Sequence, residues 1–411
     1  MFSLLKVRQH WQDPLYKNSF FLILTSLSNV GFGFIFWVLA ANLYSQENIG
    51  VAIGIISSIS VIILLCRFGL DQAIISYFPS YDKGKVFTSV LAITTLLAFI
   101  FGIVFILGIN YWSPKLTIIY EFPLFYCIIL IFSSIIIIMG NSFVALRRSD
   151  YFFIQSIFTG SRIIFLLPFS FLGVLGIVSS MGLSVIIAVL LFIFPLKKFC
   201  QTRFQFDYDF LKMSFNFSIG SYISGLLTTL PTLLLPIVVL NILGAEPTAQ
   251  YFITFSIASI LFMIPTSIGI SLFVEGSHGL DMKKNIKKSI FFSVLLLIPA
   301  FIFLILFGNV FLSLFGKGYV HDYQLLFVMC LSSFFVAPYN LYISIKKTQR
   351  DLKKLVYISL LVFILHMGIS VIFMQNYGLL GLGYAWILSY FIGDLIILGS
   401  ENIFKLKNPI H

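Results

Sequence analysis

The chain has 411 residues, of which 59% are hydrophobic and 10% charged, with a formal net charge of +11. A soluble globular chain carries about 25% charged residues, so that class is excluded. The charges fall in short clusters separated by apolar runs of about 20 residues, the length that crosses the hydrocarbon core of a bilayer. The expected fold class is an all-α polytopic membrane protein. A β-barrel, whose short strands would alternate apolar with polar residues, is excluded as well.

In chain order, the first 18 residues are mixed polar and contain Trp11 and Pro14, so no cleavable signal peptide is expected. Residues 2–12 are expected to form a short helix on the cytoplasmic surface. Six spans follow at 19–42, 49–66, 86–109, 122–145, 152–172 and 174–196. A basic link around residues 197–213 leads to six more, at 214–240, 250–274, 289–310, 324–345, 354–375 and 379–400.

The basic residues test this map. If the chain starts inside, 23 of its 26 Lys and Arg residues lie in inside segments. Only Lys115 and Lys317 lie outside, and Arg162 is left within span 5. Such a bias places both termini in the cytoplasm of a multi-pass protein of the cell (plasma or inner) membrane. It also accounts for the net charge as topology and attraction to anionic lipid heads, with no nucleic-acid partner. Cys66, Cys127, Cys200 and Cys330 imply no disulfide framework.

The two sets of six spans resemble each other at a nearly fixed offset. "NLYSQE" (Asn42–Glu47) aligns with "NILGAE" (Asn241–Glu246), and Arg147 and Arg148 with Lys346 and Lys347, at an offset of 199. "GVLGIVSSMGLS" (Gly173–Ser184) aligns with "GLLGLGYAWILS" (Gly378–Ser389) at 205. Because six is even, the repeats are parallel and related by a pseudo-two-fold along the membrane normal. Ligands of such folds lie between or within the halves. The expected domains are 1–205 and 206–411.

Three segments carry a family resemblance. They are "LYSQENIGVAIGIISSISVIILLCRFGLDQAIISYFP" (Leu43–Pro79), "FGKGYVHDYQLLFVMCLSS" (Phe315–Ser333) and "NYGLLGLGYAWILSYFIGDLI" (Asn376–Ile396). With the overall organisation, they resemble the polysaccharide-biosynthesis branch of the MOP exporter superfamily, which includes MATE exporters and lipid II flippases. The resemblance implies two six-helix lobes forming a V around a central cavity. It also implies flipping of a lipid-linked oligosaccharide from the cytoplasmic to the outer leaflet. The two extra spans typical of lipid II flippases are not evident.

Polar residues inside the spans are the candidate site. Arg162 stands near the middle of span 5, where a charge is costly and by default functional. On a straight helix it shares a stripe with Gln155, Thr159 and Ser170. A guanidinium suits a diphosphate or acidic sugar through bidentate hydrogen bonding; the competing reading is a structural arginine paired with a carboxylate or helix-end carbonyls. Asp394 in span 12 and His366 in span 11 are candidates for ion coupling, against structural readings as a charge partner and a hydrogen-bonded core histidine. Arg67 and Asp71, four apart, are expected to pair, with Arg67 also a candidate for the substrate entrance. Ser26, Ser28 and Asn29 in span 1 and Ser221, Ser224, Thr228 and Thr232 in span 7 suit helix packing or a cavity lining, with Asn29 and Thr228 the substrate-binding candidates. Pro231, Pro236 and Pro265 are expected kink sites.

No G-x-x-x-x-G-K-[ST], H-E-x-x-H or Cys/His metal pattern occurs, so neither a cofactor nor a metal is expected. The resulting reading is a non-enzymatic flippase for a polyprenyl-(pyro)phosphate-linked oligosaccharide or related precursor. Membrane lipids surround it, an H+ or Na+ gradient is one energy source, and envelope glycosyltransferases or a polymerase are the expected protein partners. The alternatives are a multidrug/cation exporter of the same fold, which would favour a carboxylate-rich cavity, and an envelope polysaccharide polymerase or ligase, which would need a large outside loop.

Overall fold

The structure is a computed structural model and describes residues 14–200, 206–277 and 282–400. The expected surface helix at 2–12 lies outside the described residues, as do Lys6, Arg8, Arg203, Lys405 and Lys407. The described residues are almost entirely helical and contain no strand. With no water at membrane depth, a helix satisfies every interior backbone group locally.

Among the described residues, ten helices are long and apolar enough to cross a membrane. Nine of them match spans 1–4 and 6–10. The tenth, Leu352–Ser400, holds both spans 11 and 12, because Gly378 breaks the helical backbone with φ 61° and ψ −142°. Span 5 is absent from the ten because it is broken into Ser149–Gly160, Arg162–Leu166 and the 3-10 turn Ser170–Leu172. Pro168 has no N–H to continue the ladder, and Ser161 and Thr159 bond the carbonyls of Phe158 and Ser156 at 2.6 and 2.9 Å. With the broken span 5 and the two spans joined at Gly378 counted separately, the described residues hold all twelve expected spans.

The chain divides into two compact units, Met1–Tyr222 and Ile223–His411. The division falls inside the helix Tyr208–Leu243, for a local reason. Phe210 joins the core of the first unit with Phe78, Phe87, Phe143 and Phe192, and its ring meets Tyr77 at 5.6 Å. The Tyr222 hydroxyl lies 2.9 and 3.0 Å from the carbonyls of Leu64 and Leu65.

In the first unit, span 1 packs along span 5, span 4 along spans 3 and 6, and span 2 along spans 3 and 6. In the second, span 10 packs against span 8 and against spans 11 and 12.

The internal repeat is visible as repeated backbone geometry. Gly173 and Gly378, 205 residues apart, share the conformation φ 55°, ψ −127° and φ 61°, ψ −142°, which lacks a comfortable equivalent for a residue with a Cβ. Three residues on, a Cβ at Gly176 would stand 2.1 Å from the Phe169 carbonyl oxygen, and one at Gly381 would stand 2.1 Å from that of Phe373. Spans 6 and 12 thus start on the spent ends of spans 5 and 11. The corners between spans 4 and 5 and between spans 10 and 11 also match. Arg147 and Arg350 are left-handed at φ 56° and 55°. The following N–H groups of Arg148 and Asp351 reach back to the carbonyls of Phe143 and Lys346. This is the pattern of a Schellman stop.

Candidate functional site

The site builds from spans 1 and 5, which run parallel and close together. Asn18 Oδ1 accepts the Ser149 N–H at 3.3 Å, and the rings of Phe21 and Phe153 lie 5.9 Å apart. Farther along, Gly160 lies under the Phe32 ring, where a Cβ would be 2.4 Å from a ring carbon. The next residues open the break in span 5, and Arg162 starts its second segment. Arg162 follows directly on the C-terminal end of the first segment, the negative end of its dipole.

The Arg162 guanidinium is half-buried and packs on span 1. Its Cζ lies 5.0 Å from the centre of the Phe36 ring, within cation–π range. A methyl group on Gly33 would stand 3.6 Å from Nη2. Nε is buried and unbonded, and no carboxylate among the described residues pairs with this side chain. Asn29, Gly33 and Phe36 recur at i, i+4 and i+7 on one stripe of span 1. Asn29, exposed and one turn from Gly33, therefore shares the face that carries Arg162. An arginine with no counter-charge among the described residues, and an exposed amide on the same face within the spans, form a ready site for an anion.

The structure does not gather the whole expected stripe. The break at Ser161 interrupts the helical register between Gln155 and Arg162. Gln155 turns into the bundle, where it is 3% exposed and its Nε2 donates to the Ile136 carbonyl at 2.9 Å. Thr159 bonds its own helix, and Ser170 lies on the terminal 3-10 turn. Arg67 pairs with Asp71 at 3.2 Å beside the left-handed turn at Phe68 and Gly69.

In the second unit, Thr228 bonds the carbonyls of Ser224 and Gly225 on its own helix at 3.1 and 2.9 Å. His366 is fully buried, with Nδ1 2.9 Å from Ser389 Oγ. Ser389 gives its proton to the Ala385 carbonyl at 2.6 Å, so His366 Nδ1 carries the hydrogen and donates. Its Nε2 is then an acceptor, buried without a partner, and the ring meets the Trp386 ring edge-on at 4.5 Å. Asp394 is 9% exposed with Oδ1 buried and unbonded. Near it on the same helix, Tyr390 packs on Tyr339 at 5.3 Å. No group of three metal-ligating side chains occurs among the described residues.

The residues missed by sequence reasoning are those that seat the charged ones. Phe36 and Gly33 look like ordinary members of an apolar run. Their one available signal was the spacing that places them above Asn29. Ser389 stands at the end of the repeated "LS" of spans 6 and 12, but its bond to His366 needs the packing of spans 11 and 12.

These spans, in two units that repeat the same glycine starts and the same corners, define a polytopic helical membrane fold with an internal repeat. An inward-facing multidrug-resistance MATE transporter of the MOP superfamily matches it with a TM-score of 0.66 at 14% identity, over 92% of this chain and 94% of that one. The lipid II flippase MurJ, in an inward closed conformation, matches with a TM-score of 0.72 at 16% identity, over 93% and 87%. The chain thus has the fold of the MOP superfamily transporters. In sequence it is 24% identical over 198 residues to the "Putative O-antigen transporter" of Shigella flexneri. That match spans about half the length of the curated relative, 47% of it, and 47% of this chain. No protein-family model matches the sequence.

Proposed function

We propose that the protein is a flippase that carries a polyprenyl-(pyro)phosphate-linked oligosaccharide, or a related polysaccharide precursor, from the cytoplasmic to the outer leaflet. The observation that carries this reading is Arg162, a guanidinium within span 5 that no carboxylate among the described residues neutralises. An anionic head crossing there gains a counter-charge, while its apolar tail stays in lipid. Unpaired polar groups in hydrocarbon would otherwise cost several kcal/mol each. Partial similarity to an O-antigen transporter and the fold shared with a lipid II flippase support the same reading. A cationic drug as passenger is disfavoured by the sign of that charge.

In this reading the face rich in Lys and Arg is cytoplasmic, both termini lie there, and the membrane is the plasma or inner membrane. The chain itself performs no covalent chemistry. Asn29 lies beside the head's path, and Arg67 stands at its cytoplasmic entrance. Thr228 is the candidate substrate contact of the second unit, and Gln155 and Thr159 support span 5 from behind. Asp394 and His366 are the groups offered for coupling to H+ or Na+, since each holds a buried unbonded atom. Glycosyltransferases supply the passenger, and a polymerase is a natural consumer of it.

The test is Arg162→Ala and Arg162→Lys in cells deleted for the gene, scored for surface polysaccharide at matched protein level. Alanine is expected to reduce output at least tenfold and lysine to restore part of it. Full output from the alanine variant rejects the role.

A further inference from the structure

Inside the second unit, a group of buried polar atoms finds no partner in the protein. His366 Nε2, Trp386 Nε1 and the hydroxyls of Tyr251, Thr254 and Ser370 are all unbonded. None of these five residues is more than 3% exposed. Such orphans are rare in a folded interior. Span 11 supplies His366 and, one turn on, Ser370; span 8 supplies Tyr251 and Thr254; span 12 supplies Trp386. The Trp386 ring joins the three spans. It lies 4.5 Å from the His366 ring and 5.4 Å from that of Phe255, which stacks on Tyr251 at 5.9 Å. The Tyr251 hydroxyl is within reach of the Trp386 side chain, yet both polar atoms stay unbonded.

The chemistry of the orphans selects what binds them. Ser389 fixes the hydrogen of His366 on Nδ1, so Nε2 offers only a lone pair. Trp386 Nε1–H only donates. A water satisfies both, giving a hydrogen to His366 and accepting one from Trp386. The hydroxyls of Tyr251, Thr254 and Ser370 serve a water in either role. A metal cation does not fit. It needs several oxygen ligands, the indole N–H would oppose it, and no metal-ligating group of three occurs among the described residues. Asp394, the acid of span 12, stands five residues beyond Ser389, about 7.5 Å along the helix.

Water also changes what His366 can do. A fixed donor beside Nε2 would hold the ring neutral, but a water can turn round. Once Nε2 gains a proton, the water presents a lone pair to the new N–H. The imidazolium then donates from both nitrogens, Nδ1 to Ser389 and Nε2 to the water. The titratable groups around it are Tyr390, 5.8 Å away ring to ring, Tyr339, which packs on Tyr390, Tyr251 behind Trp386, and Asp394. None is a cation that would oppose the charge.

We propose that His366 is a proton-binding site served by buried water held between its Nε2, Trp386 Nε1 and the Tyr251 hydroxyl. A hydronium in that water gives up one O–H bond as the Nε2–H bond forms, leaving water behind. The inference rests on the coupling role proposed above and deepens it, naming H+ over Na+ and water as the carrier to the ring. Hydration and protonation are read without transport, so the Arg162 variants test the flippase reading separately.

Two measurements on the full chain in lipid vesicles test it. In X-ray hydroxyl-radical footprinting the radicals form from water in place, so a buried ring is modified where a bound water adjoins it. Tyr251 is expected to be modified at least threefold faster than Tyr126, which is equally buried but bonded to Ser58 at 2.9 Å. Tyr251→Phe, which keeps the ring, is expected to slow modification of Trp386 at least twofold. In solid-state NMR with isotope-labelled histidine, the Nε2 signal lost in His366→Gln is expected to shift reversibly toward the imidazolium position as the pH falls from about 8 to about 4. It is expected to stay in place when K+ is replaced by Na+. Equal modification of Tyr251 and Tyr126 overturns the proposal, as does an unchanged Trp386 rate in Tyr251→Phe. So does an Nε2 signal that stays neutral at every pH, or one that moves with Na+, which would make the site a metal-ion site.

Discussion

At the scale of single residues, Arg162 is the informative case. Its charge is seated by a ring and a missing side chain, not by an acid. The Phe36 cation–π contact contributes about 0.5–2 kcal/mol, enough to orient the guanidinium without neutralising it. Phe36→Leu is therefore expected to lower transport several-fold in the surface-polysaccharide assay while protein level stays near normal. Gly33→Leu should do the same by crowding Nη2. Asp150 is a contrasting residue, at the basic face. Burial alone would raise its carboxyl, but two hydrogen bonds from Arg148 at 3.0 Å, with the charges of Arg148 and Lys17, hold it below its ordinary value. A lowered carboxyl stabilises the fold above the unfolded value of about 4, and that contribution is lost as the pH falls through the folded value. Asp150→Asn should thus melt earlier than the parent at pH 7, by an amount matching about 0.2–1 kcal/mol for a partly exposed pair. The gap should close as the pH drops below about 4.

At the scale of elements, the repeated glycines decide how the fifth and sixth spans of each half meet. Gly173 and Gly378 supply a backbone conformation that an L side chain adopts only at about 1–3 kcal/mol. Gly176 and Gly381 remove the Cβ that would strike a carbonyl oxygen. Gly378→Ala and Gly381→Ala should each lower the apparent melting temperature in detergent, and the second should also reduce yield, because the atom it strikes is rigid backbone. Equal melting of both variants with the parent would refute this account. The repeat itself was legible in the sequence through "GVLG" and "GLLG", since the positions that need glycine are fixed by local geometry. The break in span 5 was not. A helical wheel assumes one unbroken ladder, whereas Pro168, Gly160 and the hydroxyls of Thr159 and Ser161 together allow the helix to part. That parting is why Gln155 and Arg162 do not share a face.

At the scale of the whole molecule, the charge bias gives a prediction for topology. The four native cysteines are all buried, so background labelling by a membrane-impermeant maleimide should be low in the folded protein. Lys115→Cys and Lys317→Cys are expected to label in intact cells, and Lys284→Cys and Lys353→Cys only after the membrane is opened. The reverse pattern would invert the orientation, and with it the direction proposed for transport.

Hydropathy and the spacing of Lys and Arg, read along the chain alone, determined the membrane class, twelve crossings and the duplicated plan. Each of these depends on transfer of a local segment out of water, which neighbours in space barely alter. Tertiary packing alone decided which polar groups find partners: Gln155 against Ile136, His366 on Ser389, and Arg162 over Phe36 with no acid among the described residues paired to it. A buried donor or charge is satisfied or left open by whatever side chain the neighbouring helix presents, and that register is a property of the folded bundle.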